Sequence, residues 1–249
     1  MKLTHLGQMA RRHAATLWPL TGLFLVFALT GCSETTQILA KDSHAFIPSL
    51  RAAVSISEDK QPASEPQTGR AIEISYTKVK GNDNQSLDAD QDPVVLKGTT
   101  FTGPLQLKHD FEFEYADISY RWRKFFGERS MGLEVSGGIG HASLDLTTNS
   151  ATQRATKHFD KYGPQGGVAF LWRMRPSTSL HARLSGFASH QVAGIRMVHY
   201  EAFLTQALGN HVELRAGYGK WYVQGDGKGW ESDVRTIFSG PTLDLGLNF

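Results

Sequence analysis

The chain has 249 residues, with 26 Lys and Arg against 24 Asp and Glu, a formal charge of +2 and one cysteine. A lone cysteine excludes an intrachain disulfide, and so small a net charge removes the usual electrostatic argument for a nucleic-acid partner. The length admits one large domain or two small ones.

Lys2, Arg11 and Arg12 precede an apolar run over 17–29, and no acid occurs before Glu34. A basic n-region followed by an apolar h-region is a secretory signal, and the run falls short of the ~20 apolar residues of a spanning helix. Leu29-Thr30-Gly31-Cys32 then matches the lipobox of bacterial lipoproteins at all four positions. That resemblance implies removal of residues 1–31, diacylglycerol on the Cys32 sulfur and an acylated amine, palmitate being a typical chain. Ser33, in place of the Asp associated with inner-membrane retention, implies sorting to the outer membrane. Loss of the leader removes three bases and no acids, so the exported chain is near neutral. Residues 32–69, with scattered Ser, Thr, Gln and Pro, read as a lipidated periplasmic tether.

Over 70–249 apolar and polar residues alternate in eight segments, the period of strands with one greasy face. The first sets Ile72, Ile74 and Tyr76 against Glu73, Ser75 and Thr77. The second carries Phe111, Phe113 and Tyr115, then shifts phase to Ile118, Tyr120 and Trp122. One extra residue near Ala116-Asp117 would restore the phase, which predicts a β-bulge there. Segments three to seven run through Leu133, Phe170, Leu184, Tyr200 and Leu214. The eighth, 237–249, alternates Leu243, Leu245 and Leu247 with Thr242, Asp244 and Gly246 and ends on Phe249. Connections 81–108, 148–161 and 224–233 are long, 124–130, 175–178 and 209–210 short, and 191–194 modest.

This architecture and the Leu247-Asn248-Phe249 ending resemble the small OmpA/OmpX-type outer-membrane barrels of bacteria, in which a terminal aromatic belongs to the assembly signal. The resemblance implies an all-β, eight-stranded antiparallel up-and-down transmembrane β-barrel over 70–249, inserted by the barrel-assembly machinery after lipoprotein sorting. Both barrel ends then fall on the periplasmic side, beside the lipid on Cys32. The apolar stretch 45–56 could form a helix or strand, but a strand over 54–57 would make the count odd, which single-chain bacterial barrels avoid; it is therefore assigned to the tether. Trp122, Trp172 and Phe249 fall at one rim and Tyr76, Tyr162, Tyr218 and Tyr222 toward the other, as in interfacial girdles. The alternative is a soluble β-sandwich or lipocalin-like barrel, which would turn the apolar faces inward.

On this phase the lumen receives Glu73, Glu112, Glu114, Glu134, Glu201, Glu213 and Asp244, with Arg121, Arg173, Arg183, Arg215, His181 and His199. Side chains nearly fill an eight-stranded barrel, so a lumen plugged by paired charges is expected; a small gated channel is the alternative. The architecture hosts many activities. An enzyme of the kind that modifies lipid A would need Ser189 with His190, or Ser185 with His181. Adjacent strand residues point to opposite faces, and neither lipid A enzyme signature is present, so no catalytic residue is assigned. Asp88-x-Asp90-x-Asp92 begins like a calcium loop, but Pro93 stands where Gly is required and Thr99 where the bidentate Glu belongs. No metal or cofactor is expected. Arg154, Lys157, His158 and Lys161 lie on the second long loop as candidate contacts to lipopolysaccharide phosphates. The function expected is non-catalytic: envelope structure, or interaction with a host or cell-surface ligand through extracellular loops, with lipid A modification as the enzymatic alternative.

Overall fold

A period-two pattern favours extended backbone, and the computed structural model is built of strands throughout the residues it describes: 37–42, 44–56, 69–126, 130–189, 194–209, 211–227 and 231–249. The expected leader 1–31, Cys32, the tether stretch 57–68 and His190 lie outside the described residues. The elements are β1 (Gln37–Asp42), β2 (Ile47–Ser55), β3 (Gly69–Leu87), β4 (Val94–Leu96), β5 (Thr99–Phe101), β6 (Leu105–Phe126), β7 (Met131–Asn149), β8 (Arg154–Arg175), β9 (Thr178–Ala188), β10 (Ile195–Ala207), β11 (Val212–Gly225) and β12 (Asp233–Asn248). Among the described residues the fold is all-β, with twelve strands rather than eight.

Ten strands form one sheet in the order β1-β12-β11-β10-β9-β8-β7-β6-β3-β2, and β4 pairs with β5 in a separate hairpin. The eight expected segments are β3 and β6 to β12. The extra sheet strands come from the presumed tether. β2 is antiparallel to β3 and parallel to β12, and β1 is parallel to the first half of β12. Directions that alternate around a circuit with an odd number of members must leave one like-directed pair, and β2–β12 is that pair. The first described residue, Gln37, therefore sits beside Asp233, whereas Phe249 donates its backbone N–H to Ala53 at the other end. The bounds of the expected barrel, Arg70 and Phe249, lie at one end of the sheet, where the Ile56 N–H donates to the Arg70 carbonyl and the Ser55 N–H to that of Phe249; β1 begins at the other end.

Between the β1 and β2 ladders the register passes from Asp42↔Phe238 to Ile47↔Thr242, so the first segment spends one residue more than β12. The surplus brings the Ala45 carbonyl against Gly240, where a Cβ would lie 1.9 Å from that oxygen. Only glycine fits so close an approach.

Two expected long loops shorten because the strands continue beyond the apolar alternation. β7 and β8 extend to Asn149 and from Arg154, leaving 150–153 as the turn. Between β3 and β6 the β4–β5 hairpin turns at Lys97 and Gly98, both at positive φ. Its Val94, Leu96 and Phe101 are fully buried, and Val95 N–H donates to Ser232 Oγ at 3.0 Å, tying the hairpin to the β11–β12 connection.

The phase shift of β6 is not a bulge. Its ladders to β3 and β7 run without a break through Ala116 and Asp117. Odd-numbered residues face inward along the whole strand, and what changes is the environment. Phe113 is fully buried while Glu114 is half-buried on the outer face; past Asp117, Ile118 is 51% exposed and Ser119 buried. β7 repeats this, with Leu144 and Leu146 buried and Leu133 and Ile139 exposed. So does β12, where Phe238 is buried while Leu243 and Leu245 are exposed beside buried Thr242 and Asp244. One half of the sheet is apolar inside and polar outside; the other half is the reverse.

Candidate functional site

In the half whose outer face is greasy, the interior is ionic. Arg51 on β2 is buried among carboxylates from three other strands: Asp244 Oδ2 at 3.2 Å from Nε, Glu201 Oε2 at 3.3 Å from Nη2 and Glu73 Oε1 at 3.7 Å from Nη1. The Nε contact lacks hydrogen-bond alignment, so it is a Coulombic pair only. Arg121 donates to Glu73. Glu134 gathers Arg123 at 2.6 Å, Arg183 at 3.0 Å and Arg121 at 3.6 Å, while Arg215 pairs with Glu213. Buried charges persist only when paired in this way.

Above this layer the interior turns aromatic. Phe113 packs on Trp221 and Phe238 with ring centroids 5.4 and 5.5 Å apart, Tyr115 on Phe187 at 5.8 Å, and His199 stacks on Trp221 at 3.9 Å.

Of the residues assigned to a polar lumen, Glu73, Arg121, Glu134, Arg183, Glu201, Glu213, Arg215, Asp244, His181 and His199 point inward. Arg173 is half-buried on the same face. Glu112 and Glu114 are corrections: both lie on the outer face above the inversion, where Lys78 contacts each and Lys80 Nζ lies 2.8 Å from Glu112. Hydrogen bonds from Lys78 and Lys80 hold the Glu112 carboxyl down at about 2. The misplacement follows from the presumed bulge, which would have reversed the faces. Sequence reasoning also missed Arg51 and Arg123. Arg51 was legible, since Leu50, Ala52 and Val54 alternate around it, but the preference for an even strand count excluded its segment.

The three bases assigned to lipopolysaccharide do not converge. Arg154 is exposed at the hairpin tip, whereas Lys157 and Lys161 share the inward face of β8. Lys157 is buried, 2.6 Å from Glu231 and over the Phe159 ring at 5.0 Å. Strand continuation past 154 imposes alternation where a loop could have grouped them. His158 faces outward, with Nδ1 2.7 Å from Asp145.

Among the described residues considered for catalysis, no nucleophile–base–acid array forms. Ser179 Oγ, rather than Ser185, contacts His181 Nε2 at 2.7 Å, and His181 Nδ1 has no hydrogen-bond partner. Ser189 Oγ accepts the Ile195 N–H at 2.9 Å, which closes a connection. Asp88, Asp90 and Asp92 are exposed, and among the described residues no group of three His, Cys, Asp or Glu is placed to hold a metal.

His109, above the inversion, is fully buried between Thr148 and Gln85. Gln85 Oε1, 3.0 Å from Nε2, can only accept, so Nε2 carries the proton and Nδ1 accepts from the Thr148 hydroxyl. Burial pushes this imidazole down to about 4. The unfolded chain therefore takes up a proton before the folded one does, and the stability present above the ordinary histidine range is lost as pH falls toward 4. Acidification from about pH 7 to about pH 5 is expected to lower the melting temperature less in His109→Gln than in the native chain; equal shifts in a thermal melt followed by tryptophan fluorescence would contradict this.

No family model, curated protein or solved structure matches this chain.

Proposed function

We propose that the chain is an outer-membrane lipoprotein whose circuit of strands is a transmembrane β-barrel with a plugged lumen, serving envelope structure or surface interaction without catalysis. The observation that carries this reading is the reversal along single strands. Glu112 outside over Phe113 inside suits water, whereas Ile118 and Tyr120 outside over Ser119 and Arg121 inside suits only an apolar surround. A contiguous belt of this kind on a monomer in water would be an association surface. The outward positions of the belt carry no charge on any strand of the circuit, from Leu50 on β2 through Ile139, Phe170 and Leu204 to Leu245. Trp122, Trp172 and Phe249 edge it at one rim and Tyr76, Tyr162 and Tyr218 at the other, all exposed.

Backbone closure agrees with this placement. At belt height β2 is hydrogen-bonded to both neighbours, leaving no strand edge to lipid. Above the belt β1 meets β3 through side chains instead, the Lys41 N–H donating to Asp83 Oδ2 at 2.8 Å and the Leu39 N–H to Gln85 Oε1 at 3.4 Å. Water tolerates such a seam.

With the Phe249 end in the periplasm, as the resemblance implies, the aromatic layer and the β4–β5 hairpin form an outward cap that blocks conduction and presents a surface to a host or cell-surface ligand. The lipid expected on Cys32 would anchor the chain to the same membrane on its periplasmic side, as the resemblance implies. Barrel-assembly and lipoprotein-sorting machinery are the partners in biogenesis, and outer-membrane lipid with lipopolysaccharide is the surrounding medium. Heat-modifiable migration of an outer-membrane fraction tests the reading: a folded, faster band is expected, and it persists in Cys32→Ala because the barrel alone suffices for retention. Absence of folded protein from that fraction would reject the barrel.

A further inference from the structure

A second feature lies at the end of the sheet that holds Phe249. There the β8–β9 turn at Pro176 and Ser177, the start of β3 and the near ends of β6, β10 and β11 surround a cavity of about 130 Å³. Its walls carry Arg70, Arg121, Arg123, Arg173 and Arg175 against a single acid, Glu213. Arg121 and Arg123 are committed to Glu73 and Glu134, and Glu213 to Arg215. Among the described residues no carboxylate pairs with Arg70, Arg173 or Arg175. Among the described residues the lining is therefore predominantly positive, and Arg70 and Arg175 are exposed to solvent.

Two further wall residues point the same way by an independent route. His181 and Thr205 are 3% and 6% exposed, yet His181 Nδ1 and Thr205 Oγ1 have no hydrogen-bond partner. A buried polar atom without a partner is rare, because it loses water and gains nothing. Here each can donate: Thr205 through its hydroxyl, and His181 through Nδ1–H when the Ser179 hydroxyl donates to Nε2. Guanidinium forks, hydroxyls and an imidazole N–H, set against the acceptors of Glu213 and Asn248, surround a space that would hold a few waters, at about 30 Å³ each. Such a lining favours an acceptor-rich ligand.

We infer that this cavity binds a phosphate group, its oxygens taken by Arg173 and Arg175 and by the free donors of His181 and Thr205. Phosphate matches the lining better than a halide, since the planar fork of arginine addresses two oxygens at once. The group can arrive on a free phosphate or phosphate ester, or on a lipid headgroup at the rim. The site is independent of whether the belt is covered by lipid.

Calorimetric titration of the full chain, folded in zwitterionic micelles, tests this with inorganic phosphate in one arm and phosphatidylglycerol in the other. Saturable one-to-one binding is expected, weakened at least about tenfold in Arg173→Gln/Arg175→Gln and unchanged in Arg154→Gln at the opposite end. Arg175→Gln alone, which alters only an exposed side chain, gives an intermediate loss if the double variant fails to fold. Arginine-dependent binding of free phosphate assigns a soluble ligand, and arginine-dependent binding of the phospholipid alone assigns a headgroup. Binding of neither, or binding indifferent to both arginines, overturns the site.

Discussion

Replacement of Arg51 by methionine is expected to destabilise the folded chain by about 3–5 kcal/mol, the penalty for leaving buried carboxylates without their cation. Asp244, Glu201 and Glu73 are each no more than 5% exposed and all lie within 3.7 Å of the Arg51 guanidinium. Glu73 keeps Arg121, but among the described residues Asp244 retains only the Ser49 hydroxyl as a close partner. Arg51 also sits on the strand that closes the circuit, so the repulsion falls on the β2–β12 seam. Neutralising the orphaned acids in Arg51→Met/Glu201→Gln/Asp244→Asn is expected to recover more than half of the loss, since the apolar replacement of a whole ion cluster is often neutral. Lys80→Met, which breaks a partly exposed pair with Glu112, is expected to cost less than about 1 kcal/mol. Urea unfolding in detergent, followed by tryptophan fluorescence, measures all three. A loss for Arg51→Met as small as that for Lys80→Met would remove the ionic layer from the account of stability.

Leu245→Arg has the second largest expected effect, and its size depends on what surrounds the belt. Leu245 is 42% exposed, between Leu214 of β11 and Leu50 of β2. In a bilayer, arginine near the midplane of a barrel costs about 2–4 kcal/mol; on a water-covered surface such a change usually stays within about 0.5 kcal/mol. Thr156→Arg, at an exposed outer position above the belt, is expected to be neutral in both media. Folding efficiency into phosphatidylcholine vesicles separates the cases. Equal yields for the two variants would show that lipid does not touch Leu245.

The seam of β1 and β2 shows where sequence reading and structure part. Leu50, Ala52 and Val54 alternate with Ser49, Arg51 and Ala53 as regularly as any later segment, yet a parity rule drawn from all-antiparallel barrels excludes the strand. Its parallel union with β12 depends on contacts some two hundred positions apart, which no local pattern encodes. Glu112 and Glu114 teach the complementary lesson. Their alternation suggests a phase error needing a bulge if one pattern of burial is expected along the whole strand, whereas a reversal of buried and exposed character partway along produces the same string without irregular backbone.

What the sequence by itself determined is the existence and placement of the eight long strands and the division of each into an apolar and a polar set, because side chains alternate by backbone geometry alone. Only the tertiary structure decided which set faces inward at each height, that the circuit closes through Arg51 and a parallel pair, and that Lys157 and Lys161 turn inward from Arg154. Alternation is symmetric under exchange of faces; inside and outside acquire meaning only when distant strands pair and enclose a volume.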